Sequence, residues 1–388
     1  MFKKMLLTLS ALTLLMAGAA YAGDANWSFY GVGHVSLNML NNGNDSQLGV
    51  TSNTSRFGFK GTAPMNEDFT AFWQFESLVD FAGNRESTDI GTRNTFVGVK
   101  HATAGKFVFG RHDTPFKALG RKVEFFPERL GDFRSVTHGW DNRLSELFAW
   151  VSPDWDGFSI FAAYMFDQGD HYDMDDEDYE AMTTMSAMAS YSTEKFMLGA
   201  AYEALSSGFG EYDPETDSVG DGDKAMRFVG KYMAPKFELG GLYQSMTYEY
   251  SDYIDKALQE WNSSVMGIGG VYHVNPQWNV KAAMYIFNDN TDAEDDTETD
   301  DVDESDTTAT MLAFGVERIF TENVLVYLQY GSMSNGEALA DSWDGDGYGV
   351  ALAGNQAGFG TGGTYGTWDD SDEFQDPSGF SVGAVVNW

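Results

Sequence analysis

The chain contains no cysteine, so neither disulfides nor thiolate-bound metals are open to it. An exported protein with none must be held by burial and hydrogen bonding. Basic side chains are scarce, 23 Lys and Arg against 59 Asp and Glu, and the net charge is −36. Nucleic acid is excluded as a partner class, because phosphate binding needs a basic face. Beyond residue 22 no apolar run approaches the roughly 20 residues that a membrane-spanning helix requires. The six histidines, His34, His101, His112, His138, His171 and His273, are scattered. None forms a close pair at metal-ligand spacing and no G-x-S-x-G elbow occurs, so the sequence offers no catalytic constellation, although spatial proximity stays open.

What is present begins with MFKKMLLTLSALTLLMAGAAYAGD, in which Lys3 and Lys4 precede an apolar run and the triplet Ala20-Tyr21-Ala22. This reads as a secretory signal peptide, residues 1–22, cut before Gly23. Its removal takes away two lysines and no acid, which deepens the negative charge.

The remainder, 23–388, shows period-two alternation in segments of about ten residues. In GFSVGAVVNW, Phe380, Val382, Ala384, Val386 and Trp388 share one face, and Ser381, Gly383, Val385 and Asn387 the other. FYGVGHVSLNML sets Phe29, Val35, Leu37 and Met39 against Tyr30, His34, Ser36 and Asn38, and SRFGFKGT sets Phe57 and Phe59 against Arg56 and Lys60. Sixteen such segments can be counted, the second over 54–64, the fifth over 105–112 and the last over 379–388. Short polar turns such as Asn275-Pro276 alternate with long acidic connections: eight acids lie between Asp167 and Glu180, eleven between Asp289 and Asp306. An even strand count with that asymmetry fits a closed transmembrane antiparallel β-barrel, apolar outside and polar within. A soluble sandwich also alternates but gives no reason for the turn asymmetry. Trp27, Tyr30, Phe72, Trp73, Trp150, Trp155, Trp278, Tyr285, Tyr327 and Trp388 fall near strand ends or on outward phases, as in an interfacial girdle, with core packing as the alternative.

One stretch departs from the pattern. FGRHDTPFKALGRKVEFFPERLGDF, residues 109–133, holds five basic groups and four acidic ones in a chain otherwise short of cations. It has two prolines and no clean periodicity.

Taken together, FYGVGHVSLNML, SRFGFKGT, RNTFVGVK leading to GKFVFGRHDTPF, SPDWDGFSIFAAY and the aromatic-ended final strand resemble the general Gram-negative bacterial porins. The resemblance covers the whole of 23–388 as a single barrel domain. It implies that the loop after the fifth strand, about 112–142, folds inward and forms the narrowest point. Asp113, Glu124, Glu128 and Asp132 would be its acidic side, facing a basic wall whose best local matches by strand phase are Arg56, Lys60, Arg93 and Arg143. Arg111 opens the loop, and its direction stays open because it shares a phase with Phe107 and Phe109. The loop sequence FFPERLGD matches only loosely, the terminal residue is Trp388 where Phe is more usual, and the segment 335–378 is long for a last loop.

The implied function is passive diffusion of small hydrophilic solutes and ions through an outer-membrane channel, without bond chemistry or cofactor. Acid-rich connections would give weak cation preference, reversing to anions if the basic wall dominates. A substrate-specific channel is the near alternative, with lumen aromatics pointing to sugars and extra lumen lysines to phosphate; an acidic secreted protein and an outer-membrane enzyme are the remoter ones. The acidic connections lack EF-hand spacing, so solvated negative loops are preferred over calcium bridging to lipid head groups. The resemblance further implies outer-membrane lipid and lipopolysaccharide as surroundings, recognition of the strand ending in Trp388 by the barrel-assembly machinery, and a homotrimer. Gly31, Gly33, Val35, Val382 and Ala384 would form the trimer's flat apolar patch.

Overall fold

Alternating residues become antiparallel strand wherever the structure is described. A computed structural model describes residues 25–41, 46–83, 91, 93–137, 140–166, 183–205, 222–249, 260–289, 308–335 and 376–388. The expected signal peptide and both of the most acidic connections lie outside these residues. The strands are β1 (Asn26–Asn41), β2 (Ser46–Ser52), β3 (Arg56–Pro64), β4 (Phe69–Leu78), β5 (Thr95–His101), β6 (Gly105–Asp113), β7 (Arg143–Val151), β8 (Phe158–Met165) and β9 (Thr184–Ser192). They continue as β10 (Phe196–Leu205), β11 (Lys224–Ala234), β12 (Phe237–Glu249), β13 (Glu260–Asn275), β14 (Trp278–Asp289), β15 (Thr308–Thr321), β16 (Val324–Asn335) and β17 (Ser378–Asn387).

Neighbours in sequence pair antiparallel, and β1 closes the ring on β17 from Val32↔Asn387 to Asn41↔Ser378. β2 and β3 both pair with β1 and are interrupted at 53–55, where Thr54 has φ +51°. They are two halves of one strand, so the closed barrel has sixteen. The second strand therefore starts at Ser46 rather than at 54.

The alternation resolves the choice between sandwich and barrel. On β1, His34, Ser36 and Asn38 are enclosed, whereas Phe29, Leu37 and Met39 are about half exposed. Leu198, Ile268 and Phe314 point outward in the same way. A sandwich would bury that apolar set; here it forms the outer surface. At the short-turn end the outer surface carries rings in contact: Trp150 with Trp155, Phe196 with Tyr232, and Arg318 over Trp278. Four of the aromatics expected in the girdle turn inward instead. Phe72, in phase with Gln74 and Glu76, packs with Phe96 against the inner cluster around Val108, and the other three are tyrosines. Tyr30 donates to Glu76 Oε2 at 2.8 Å, Tyr327 meets His34 Nε2 at 2.9 Å, and Tyr285 packs near Phe133. A hydroxyl needs a partner once enclosed, and the inner wall supplies it. The expected apolar patch at Gly31 is partly filled by the chain's own Trp388, whose backbone exchanges hydrogen bonds of 3.0 and 3.1 Å with Gly31.

Residues 114–137 leave the fifth barrel strand, β6, and run across the inner face, and residues 140–142 lead into β7. Thr114 caps a short helix, α1 (Pro115–Gly120), by accepting from Lys117 N at 3.3 Å, and Pro115 suits the first turn because it has no N–H to satisfy. A 3-10 helix follows at Phe133–Val136. Phe116, Leu119, Phe125, Phe126, Leu130 and Phe133 are each at most 4 % exposed, packed among inward residues of β10 to β17. Close approach is made by missing side chains on the wall. A Cβ on Gly269 would stand 2.7 Å from the Phe125 ring, and one on Gly315 3.0 Å from Phe126. Burial of an aromatic or leucine of this kind is worth about 1.5–3 kcal/mol. Apolar packing thus fixes the loop, leaving its charges to orient it.

Candidate functional site

The turn that carries Pro127 and Glu128 points the Glu128 carboxylate at the broken second strand and at the segment before β5. Glu128 Oε2 lies 3.3 Å from Arg56 Nη1, and Oε1 lies 3.8 Å from Arg93 Nη2. Both arginines also reach Glu76 on β4, Arg93 Nε at 2.6 Å and Arg56 Nε at 3.7 Å. Two cations and two carboxylates therefore alternate in one enclosed cluster. Burial works to raise the Glu128 carboxyl, but Arg56 and Arg93 outweigh it and hold it below the ordinary range. Glu128 has φ +61°, a left-handed conformation that favours glycine and costs other residues roughly 1–2 kcal/mol.

Asp113, at the end of β6, forms the second cluster. It meets Lys117 Nζ at 3.1 Å and Arg143 Nη2 at 2.9 Å, while Asn94 accepts from Arg143 Nε at 2.8 Å. Burial pushes the Lys117 ammonium down to about 8, against the pull of Asp113. Arg111 lies beside a register shift between Gly110 and His112, which removes it from regular alternation; its Nη1 donates to Ser145 Oγ at 2.6 Å. Lys60 shares the face of Arg56 but stands apart from the carboxylates, its ammonium 5.1 Å from the Tyr30 ring centre.

Glu124 and Asp132 do not face the wall arginines as expected. Glu124 accepts from Phe126 N at 2.8 Å and Phe133 N at 3.1 Å, stapling the two limbs of the loop. Asp132 accepts from Glu128 N at 2.7 Å and pairs with Arg134 at 2.7 Å and Arg121 at 3.3 Å. A non-repetitive loop has its own backbone donors to satisfy, and these two carboxylates satisfy them. Burial, then the neighbouring Asp132 charge, raises Glu124; Asp132 is held well below the usual range by Arg134 and Arg121 against its own burial.

Other residues of the site carry no signal in local sequence. Arg227 on β11 is fully buried and grips Asp141 on the loop, while its Nε and Nη2 donate to Gln244 Oε1. Arg129 Nη1 meets Glu317 Oε1 on β15 at 2.6 Å, Lys281 Nζ meets the same oxygen at 2.6 Å, and the Arg129 guanidinium stacks 4.1 Å from the Tyr327 ring centre. Adjacent loop residues 128 and 129 thus insert opposite charges into separate, counter-charged parts of the wall. Among the described residues no group of three or more His, Cys, Asp or Glu is placed to hold a metal.

Comparisons with known proteins bear on the family and the fold. The family model described as Gram-negative porin matches residues 8–338. The outer membrane porin PhoE of Escherichia coli is 31 % identical over 117 residues, 28 % of this chain and 33 % of that protein. The outer membrane porin protein OmpD of Citrobacter koseri is 29 % identical over 215 residues, 52 % of this chain and 58 % of that protein. The chain thus aligns with between a third and somewhat over half of these relatives' length. Among solved structures, the anion-selective porin of Comamonas acidovorans superposes with a TM-score of 0.73 at 14 % identity, covering 94 % of this chain and all of that one. OmpF of Salmonella typhi, in complex with daunomycin, gives 0.63 at 16 % identity, covering 93 % and 97 %. With the match to the family model spanning most of its length, the chain belongs to the Gram-negative porin family.

Proposed function

We propose that this protein is an outer-membrane channel for passive diffusion of small hydrophilic solutes and ions, narrowest where the 114–142 loop meets the wall of β3 to β7. The observation that carries this reading is the contact of Glu128 with Arg56 and Arg93, made by a loop packed against the inner face of a barrel that is apolar outside. Such a channel replaces hydrocarbon with a wet, charge-lined passage, and its selectivity comes from diameter and from charged side chains. Asp113 and Glu128 serve as the acidic side of the constriction, Arg56, Arg93 and Arg143 as the basic side. Glu124 and Asp132 hold the loop's own shape.

The cation preference is weak and belongs to the mouth. In the constriction each wall arginine already touches a carboxylate, so neither sign dominates there. The acids of 167–180 and 289–306 raise local cation concentration within a Debye length of about 8 Å. Export through the 1–22 signal, assembly through the strand ending in Trp388, lipid and lipopolysaccharide as neighbours, and a homotrimer complete the reading. The test is the reversal potential of detergent-extracted protein in a planar bilayer under a potassium chloride gradient. Stepwise conductance with a modest cation-directed potential is expected; folded protein without conductance overturns the channel reading.

A further inference from the structure

A chain with 59 acidic and 23 basic side chains has little reason to set lysines face to face. Yet Lys100 on β5 and Lys106 on β6 are directly opposite in register, next to the short turn 102–104. Alternation assigns both to the inner face. Val97 and Phe109 are the outward, exposed members of these strands, and Val108 is enclosed on the Lys106 side. Like charges directly opposite in an antiparallel pair are destabilising. Both lysines are exposed, and among the described residues neither has an ion-pair partner. The carboxylates nearest along the chain, Glu67 and Asp68 in the β3–β4 turn and Asp154 and Asp156 in the β7–β8 turn, pair with neither.

Lys60 extends this positive surface toward the constriction. It lies on the inner face of β3 opposite Gln74, whereas Lys100 lies opposite Thr70 of the same β4, four residues nearer the short-turn end. Four residues of strand correspond to roughly 13 Å, so a point midway between two cations is roughly 6–7 Å from each, inside the Debye length of about 8–10 Å at moderate salt. Arg56 lies the same number of residues beyond Lys60 on the other side. A solute anion moving along this wall therefore remains within reach of one cation until the next takes over.

Resting on the channel reading above, we propose that Lys60, Lys100 and Lys106 form a track on the inner wall that transiently binds small oxyanions, of which dianionic phosphate is the type. The track is separate from the weak cation preference of the mouth. It lies on the short-turn side of the loop and acts by brief occupancy, so it shows as interruption of the current by the bound anion. Lysine suits this task, being a strongly hydrated point charge on a flexible stem that releases its partner readily. The preference for a dianion over chloride follows from charge, since each lysine attracts it about twice as strongly at equal distance.

The experiment is current through the full-length protein in a planar bilayer in potassium chloride near pH 8, titrated with inorganic phosphate. Phosphate is expected to reduce the chloride-carried current in the wild type. K100Q/K106Q is expected to need roughly tenfold more phosphate for the same reduction, and K60Q to show a smaller shift. K195Q, which removes a lysine from another short turn, is the control and keeps the wild-type response. The substituted side chains are exposed, and retained heat-resistant mobility on gels confirms that each variant is folded. Equal phosphate sensitivity in wild type and K100Q/K106Q overturns the track, as does a wild-type current indifferent to phosphate. Absence of any current from folded wild type is the distinct outcome that overturns the channel reading itself.

Discussion

Arg227 and Asp141 meet as a two-pronged pair, Nη1 to Oδ1 at 2.6 Å and Nη2 to Oδ2 at 2.7 Å, with almost no exposure of either side chain. The same guanidinium donates to Phe116 O at 3.1 Å and lies 4.1 Å from the centre of the Phe116 ring. One wall residue thus holds both limbs of the loop, the outgoing limb at Phe116 and the returning limb at Asp141. Removing one partner of a buried pair strands the other charge and costs about 3–5 kcal/mol. In R227A the loop is expected to leave the wall while the barrel stays closed. Trypsin would then cut after Arg121, Lys122 or Arg129 in folded R227A and spare the wild type. Equal protection of the two would show that apolar packing alone retains the loop.

Glu128 offers a test of the constriction charge. Glu128→Gln keeps the shape and removes one negative charge from beside Arg56 and Arg93. A unit charge at about 8 Å in water is worth roughly 0.5 kcal/mol, a factor of two to three in relative ion occupancy. The cation-to-anion permeability ratio is expected to fall by about that factor, read as a shift of the reversal potential toward anions. Glu128→Gly should give the same shift and also relieve the left-handed backbone, so its loop should exchange amide protons more slowly than that of Glu128→Gln. A reversal potential identical in wild type and E128Q would remove Glu128 from the ion path.

The loop should respond to pH in two opposite ways. Glu124 binds its proton more tightly in the folded loop than in an unfolded chain, because of burial and of Asp132. The groups of the wall that face it, Tyr285 and Lys281 on β14, and Arg121 within the loop complete its surroundings. Loop stability from this group falls as pH rises above the ordinary glutamate value of about 4.3. Glu128 and Asp132 are held below their ordinary values, so their contribution is present at neutral pH and is lost as pH falls beneath the usual carboxylate range. Hydrogen exchange at the amides of Phe126 and Phe133 is expected to quicken toward alkaline pH beyond the intrinsic rate. In E124Q that alkaline acceleration should vanish while the acid-side loss remains. An unchanged alkaline slope in E124Q would assign it to another group.

The barrel was legible because each strand repeats the same period of two, down to the ten residues of β17, and because turns of two kinds alternate. Arg56, Arg93, Asp113 and Glu128 were singled out through the resemblance to porins, with strand phase choosing the arginines; that they line a constriction is our proposal. Arg227 was not, since it alternates between Met226 and Phe228 like any inward residue and its partner is 86 positions away. Glu317 and Arg129 are 188 positions apart, beyond any spacing rule. The inward turn of Glu124 and Asp132 into the loop escaped detection for a different reason. Composition counts charges, but in a backbone without period it gives them no direction. Strand two was shortened because the polar run Asn53-Thr54-Ser55 reads as its boundary, while in the structure it is a break within it.

The closure of the barrel can be tested at two glycines that sequence treats alike. Gly31 and Gly33 both lie on the outer face of β1, beneath Trp388. A Cβ on Gly31 would overlap the six-membered part of the indole, whereas one on Gly33 would stand 3.4 Å from Trp388 Cζ3, near ordinary contact. Overpacking of a fitted site typically costs about 1–3 kcal/mol. At Gly31 the ring cannot yield without disturbing the paired backbone bonds between Gly31 and Trp388 that extend the β1–β17 seam. Gly31→Ala is therefore expected to lower the temperature at which the folded band is lost on gels, and Gly33→Ala to leave it within a few degrees of wild type. Trp388→Ala combined with Gly31→Ala should remove the difference between the two alanine variants. If Gly31→Ala and Gly33→Ala melt together, the indole is free to move aside, and the seam is held by the β1–β17 ladder rather than by the packing of its last residue.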